Sequence, residues 1–102
     1  MTEDVERFLC ITWEMKNMQR VSGLAWIDLA RRQVAIGQFL DSKQYTELET
    51  ALLQNYTEST CVIMQHGSNY EAQKVKQVLT RCNIVAYEEK PGLSNNFYPI
   101  IK

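Results

Sequence analysis

The segment from Arg20 to Gln54 constrains the fold of this 102-residue chain more than any other part. It contains two apolar runs, Val21 to Ile27 and Gln33 to Leu40, separated by a polar corner at Ala30-Arg31-Arg32. Two apolar runs joined by a short polar corner are typical of a β-hairpin. The second run continues directly into Asp41, a residue type that caps helix N-termini. The segment therefore predicts a hairpin followed at once by a helix.

The helix predicted after Asp41 carries two further signals. Gln44, three residues on, would complete a capping box, and Leu40 and Tyr45 have the spacing of a hydrophobic staple. Its apolar stripe, which we expect to be buried, consists of Tyr45, Leu48 and Leu52.

Three other segments read as strands, Phe8 to Lys16, Cys61 to Met64 and Ile84 to Glu88. Both faces of the first strand are apolar, as are both faces of Val21 to Ile27. Strands of this kind lie centrally in a sheet, so we expect helices or partner domains on both sides.

A second helix is predicted between the last two strands. Ser68 and Glu71 have capping-box spacing, and Asn83 suits a left-handed C-terminal stop. The apolar stripe of this helix consists of Val75, Val78, Leu79 and Cys82.

The order of elements is three strands, then helix, strand, helix, strand. Right-handed crossovers would place the last two strands parallel to the first. This plan predicts an α/β fold of the ribonuclease-H-like kind, with a mixed five-stranded sheet whose first three strands are antiparallel. We expect a frayed N-terminus over residues 1–7, one domain over 8–90, and a C-terminal segment, 91–102, leading toward further domains.

Composition narrows the possible functions. The net charge is −1, and no run of five like charges occurs, so we expect little direct DNA binding by this domain alone. No apolar run approaches the length of a membrane span. Cys10, Cys61 and Cys82 show no C-x-x-C spacing and are expected to be buried, reduced thiols in a reducing compartment.

A ribonuclease-H-like plan raises the question of two-metal hydrolysis, which needs several converging carboxylates. Glu14 and either Glu47 or Glu49 could supply two, but the fourth strand ends at Met64-Gln65-His66 without a third. We therefore predict no catalytic residue, no metal site and no cofactor in this chain. An acidic side chain reaching that corner in three dimensions would favour the alternative, a divergent nuclease.

Seven positions resemble the connector domain of MutS mismatch-repair proteins, and among these the eukaryotic subunit shared by both mismatch-recognition heterodimers. The matching positions are Gly23, Asp28, Phe39, Asp41, Leu48, Glu49 and Leu52. The loop at Asn55-Tyr56-Thr57 departs from the family's pattern. The resemblance implies a nuclear protein in which this non-catalytic domain couples mismatch-binding and ATPase parts. Its implied partners are a MutL homologue, other domains of the parent protein and its heterodimer partner.

The C-terminal segment is the predicted partner-binding site. After a turn at Pro91-Gly92 it is apolar, so it either packs back on the sheet or leads into further domains. The residues predicted to bind a MutL homologue are Leu93, Asn95, Asn96 and Phe97. A free-standing protein-interaction module remains a third possibility.

Overall fold

The computed structural model describes residues 5–89, which form an α/β fold with five strands and two helices in the predicted order. The elements are β1 (Arg7–Lys16), β2 (Gln19–Asp28), β3 (Gln33–Asp41), α1 (Thr46–Asn55), β4 (Thr60–Met64), α2 (Tyr70–Arg81) and β5 (Ala86–Glu88). Neither described helix is long and apolar enough to cross a membrane.

The sheet is mixed, as predicted, with strand order β3-β2-β1-β4-β5. The strands β1, β2 and β3 pair antiparallel, while β4 is parallel to β1 and β5 is parallel to β4. The two crossovers, from β3 to β4 and from β4 to β5, move across the sheet in the same direction. Right-handed crossovers in one direction place their helices on the same face.

A single core between that face and the helices confirms this arrangement. Leu9, Ile11 and Trp13 alternate along β1 toward the helices, and each is at most 6% exposed. These side chains pack against the apolar stripes that the sequence predicted for the two helices. Every residue of both stripes is buried except Cys82, which is half-buried. The core residues of the helices are Leu48, Leu52, Ala72, Val75, Val78 and Leu79. The helices thus cover one face of the sheet, and of the expected helices or partner domains on both sides, the described residues supply helices on one side only.

The first helix begins later than predicted. Pairing with Arg20 keeps Asp41 in β3, and α1 starts after Tyr45, whose φ of 57° is left-handed. The Asp41 carboxylate still caps the helix across this turn, since it accepts the N–H of Glu47 at 2.9 Å and of Leu48 at 3.1 Å. Leu40 forms no staple with Tyr45, because it lies on the opposite face of the sheet and is 60% exposed.

The second helix is capped by Asn69 instead of Ser68, with the Asn69 side chain accepting the N–H of Ala72 at 2.9 Å. Its predicted stop is confirmed: Asn83 has a φ of 62°. The N–H of Ile84 donates to the Leu79 carbonyl, and that of Asn83 to the Thr80 carbonyl, which is a Schellman motif. Ile84 is therefore buried as part of this stop, and β5 is shorter than predicted.

Candidate interaction surface

The corner after β4 holds an acidic side chain that the sequence did not reveal. Glu88, at the end of β5, accepts the backbone N–H of Gly67 at 3.1 Å and lies 3.0 Å from Nδ1 of His66. Lys76 Nζ lies 3.6 Å from its other oxygen. The Gly67 N–H, followed by Lys76 and His66, holds the pKa of the Glu88 carboxyl below its ordinary value. Glu88 reaches this corner because it pairs with Met64 in the parallel ladder between β4 and β5. That pairing depends on the order of strands in the sheet, which the sequence alone did not provide.

Glu88 and Glu14 lie on opposite faces of the sheet. Glu88 pairs with Met64, which faces the helices, whereas Glu14 follows Trp13 and so faces away from them. Of the helix carboxylates considered, Glu47 is exposed, and Glu49 accepts a hydrogen bond of 2.9 Å from Arg81. Within residues 5–89, no three His, Cys, Asp or Glu side chains are grouped so that they could hold a metal ion.

The basic groups of α2 are engaged by neighbouring parts of the chain. Lys74 Nζ donates to the Lys43 carbonyl at 2.7 Å, Lys76 lies beside Glu88, and Arg81 binds Glu49. Arg31 and Arg32 are exposed at the β2–β3 corner. The cations of α2 are each paired within the domain, and Arg31 and Arg32 lie apart from them at the β2–β3 corner, which is unlike the continuous basic stripe of a DNA-binding surface.

A polar network ties β2 to both helices. Arg20 donates two hydrogen bonds to the Glu71 carboxylate, of 2.8 and 2.9 Å, and the hydroxyl of Tyr45 donates to the same carboxylate. Tyr45 is fully buried, and the side chains of Arg20 and Glu71 are each 16% exposed. The Arg20 guanidinium holds the pKa of the Glu71 carboxyl below its ordinary value. Each of these three residues has its partners within the network, so the network is structural.

The face of the sheet away from the helices carries two parallel rows of apolar side chains, here named the bare face. The strand register places Val34, Ile27, Phe8 and Cys61 side by side in the first row. The second row consists of Ile36, Ala25, Cys10, Ile63 and Tyr87.

The two apolar rows contain no charged side chain, and neither described helix packs on them. Glu14 lies on the same face of the sheet beyond the rows, and Glu89 is close enough to Cys10 to raise the pKa of its thiol. Ile36 is 80% exposed, Tyr87 and Val34 are each 66% exposed, and the neighbouring Ile27 is 41% exposed. Contiguous exposed apolar area of this kind marks an interaction surface in soluble proteins.

The cysteines are unpaired in the structure but less buried than predicted, since each is only half-buried. Cys10 and Cys61 lie on the bare face, and Cys82 follows α2 on the other side of the domain. Partial burial raises the pKa of all three thiols above the ordinary value.

The predicted partner-binding residues fall beyond the described part of the chain. Leu93, Asn95, Asn96 and Phe97, with the preceding turn at Pro91-Gly92, lie outside residues 5–89. The structure therefore brings none of them to a site, and their role stays a prediction.

The described residues thus define an α/β domain with one helix-covered face and one apolar face. Over 70 residues, 69% of the chain, it is 30% identical to the DNA mismatch repair protein MSH2 of Arabidopsis thaliana. The chain spans 8% of that protein's length. This short match is a likeness to one region of a MutS homologue.

No protein-family model matches the chain. Among solved structures, a chain of the simian T-cell lymphotropic virus intasome in complex with PP2A regulatory subunit B56 gamma matches 96% of this chain and 40% of its own length. Its sequence identity is 14% and its TM-score is 0.47, which carries no argument about fold or function.

Proposed function

We propose that this chain is a non-catalytic connector domain of a DNA mismatch-repair MutS homologue, with a ribonuclease-H-like sheet. The observation that carries the proposal is the 70-residue match to MSH2. The strand order and the two helix–strand units on one side of the meander agree with the sheet plan that the resemblance implies.

The bare face supports the proposal that this domain lies among other domains of a larger protein. An isolated domain leaves these apolar rows in water, whereas a domain within a larger chain can bury them against its neighbours. In this proposal the domain couples mismatch-binding and ATPase parts of a nuclear protein, with a heterodimer partner. The engaged basic groups of α2 agree with little direct DNA binding by this domain alone.

The alternative function is a divergent nuclease, and Glu88 at the β4 corner is the observation that bears on it. We favour the non-catalytic function for two reasons. Glu88 is engaged by His66, Lys76 and a backbone N–H, and Glu14 lies on the other face of the sheet. Carboxylates separated in this way do not converge on a pair of cations a few ångströms apart.

We expect no cleavage of an RNA–DNA hybrid by the 102-residue protein with either Mg²⁺ or Mn²⁺. A gel assay of labelled hybrid measures this, with Glu14→Ala and Glu88→Gln as the matched variants. Cleavage that either substitution abolishes would establish the nuclease and remove the connector proposal.

The proposed contact with a MutL homologue lies on Leu93, Asn95, Asn96 and Phe97. Replacing Asn95 and Asn96 with Lys in the parent protein should weaken binding of a purified MutL homologue about tenfold, since buried hydrogen-bonding contacts at interfaces carry effects of this size. Calorimetry measures the dissociation constant, and the melting temperature should stay nearly unchanged.

The matched control adds the same two charges on α2, by Gln77→Lys and Thr80→Lys, at exposed positions. The control should bind like the unmodified protein. Equal binding by all three proteins would place the contact elsewhere. No binding by any of them would favour the free-standing interaction module.

A further inference from the structure

The two edges of the described sheet differ in length and charge. The strand β5 forms one edge and has three residues, the last of which, Glu88, is charged. The strand β3 forms the other edge and has nine residues. Short strands and charged side chains protect a sheet edge from pairing with another chain. The strand β3 is long, and its residues 33–40 carry no charge, so it lacks both protections.

The outer side of β3 is open along its length. Its register with β2 runs without a bulge from Gln33 to Asp41, and within residues 5–89 no other strand pairs with it. Alternate residues of such a strand direct their backbone N–H and C=O groups away from the sheet, where another extended strand completes the ladder. Val34, Ile36 and Leu40, which lie along this edge, are each at least 60% exposed. The edge therefore suits an uncharged strand with apolar side chains.

The sequence of β3 is complementary to itself when two copies pair antiparallel with Gln38 opposite Gln38. In that register each Ile36 lies opposite the Leu40 of the second copy, on the face away from the helices. On the helix side, each Gly37 lies opposite the Phe39 of the second copy. A Cβ added at Gly37 would meet none of the described atoms within 4 Å beyond its chain neighbours, so an aromatic ring has space there. Aliphatic pairs, and an aromatic ring beside an edge glycine, stabilise antiparallel sheets.

The next register is less complementary. With the two-fold axis at Gly37, the two glycines would face each other and Ile36 would lie opposite Gln38. With the axis at Gln38, Asp41 lies opposite Ala35, so no two charges meet across the strands. Pairing about one two-fold axis uses the same edge of both copies, so the assembly closes at two.

We propose that two copies of this chain pair through β3, antiparallel and with Gln38 on the two-fold axis, to form one continuous ten-stranded sheet. The inference does not depend on the proposed repair function, and it leaves the bare face available to other domains. Residues 35–41 of each copy meet along about 24 Å of sheet edge. A contact along a single edge is smaller than the roughly 1,200 Å² of a standard interface, so we expect a dissociation constant on the order of 10 to 100 µM.

Sedimentation velocity of the 102-residue protein tests the pairing. It should show a monomer–dimer equilibrium between about 5 and 500 µM, a range that brackets the affinity of a small interface. Ile36→Lys should weaken the dimer at least about tenfold, because a charge in the middle of the edge opposes a second strand. The matched control is Tyr87→Lys, which lies in the same row of the bare face but at the opposite edge. Ile36 is 80% exposed and Tyr87 66%, so both variants should fold, and the control should dimerise like the unmodified protein.

Three results would contradict the pairing. A monomer at every concentration would overturn the proposal. Equal weakening by Ile36→Lys and Tyr87→Lys would also overturn it, by showing that two bare faces stack on each other. Weakening by Tyr87→Lys alone would show that the copies pair through β5 instead.

Cysteine cross-linking tests the register separately. In two copies of the Gln38→Cys variant, the Cα atoms of residue 38 would lie about 4.5 to 5.5 Å apart, within the span of a disulfide. Glutathione disulfide oxidises the two thiols and is reduced to two glutathione molecules, and a non-reducing gel shows the covalent dimer. The matched control is Val34→Cys, on the same strand and face but about 27 Å from its counterpart in the second copy. Gln38→Cys should cross-link at least about tenfold faster than Val34→Cys, because only its thiols are within reach of each other. Equal rates would overturn the proposed register.

Discussion

Leu48→Ala is expected to lower the free energy of unfolding by about 2 to 5 kcal/mol. Leu48 lies in the middle of α1 and is fully buried between the helix and the sheet. Truncation removes apolar contacts and leaves a cavity that its close-packed neighbours fill only in part. Urea unfolding followed by circular dichroism measures the loss as a lower midpoint.

Glu47→Ala is the matched control for Leu48→Ala. Glu47 is adjacent in sequence but exposed, and its substitution should change the free energy of unfolding by less than about 0.5 kcal/mol. Similar midpoints for the two variants would show that the helix presents a different face to the sheet.

The phase of both helices was predictable from sequence because an amphipathic stripe depends on local spacing and on a single buried face. Tyr45, Leu48 and Leu52 are all fully buried, as their spacing indicated. The parallel direction of the last two strands was predictable for a related reason, since right-handed crossovers leave few ways to join parallel strands.

The start of α1 was not predictable from spacing alone. A capping box counts residues from the cap, but strand pairing with Arg20 extends β3 through Asp41 and delays the helix. The Asp41 carboxylate nevertheless reaches the N–H groups of Glu47 and Leu48 across the turn. The residue type was therefore informative about capping, while its position in the helix depended on a distant strand.

The candidate site shows the same limit. Glu88 is far in sequence from His66 and Lys76, and only the pairing of β5 with β4 brings them together. The bare face was visible in the alternating apolar residues of β1 and β2, but the sequence did not show which face the helices would leave open. Both facts depend on the order of strands across the sheet.

Glu71→Gln is expected to lower the free energy of unfolding by about 1 to 3 kcal/mol at neutral pH, the cost of leaving a partly buried polar group without its partner. Glu71 accepts hydrogen bonds from Arg20 and Tyr45 and joins α2 to β2 and to the start of α1. The glutamine oxygen can keep the two bonds that Glu71 Oε1 accepts, from Arg20 Nε and the Tyr45 hydroxyl, but the amide N–H₂ cannot accept the second guanidinium bond. The control is Glu49→Gln, which disrupts the exposed pair with Arg81 and should cost between about 0 and 1 kcal/mol.

The same substitution should change how stability depends on pH. Arg20 holds the pKa of Glu71 in the folded protein below its ordinary value, so the folded state favours the ionised carboxylate. Its contribution is therefore complete above the unfolded pKa, about 4.3, and is lost as pH falls through the lower folded pKa. Asp28 and Glu88 have lowered pKa values as well, so the Glu71→Gln protein still loses stability in acid. It should lose less stability than the unmodified protein does, because the contribution of Glu71 is absent.

Urea midpoints measured from pH 7 down to about 3 should converge for the two proteins, because protonation removes the charge that the substitution has already removed. A constant difference between the midpoints across this range would show that the Glu71 charge does not stabilise the fold.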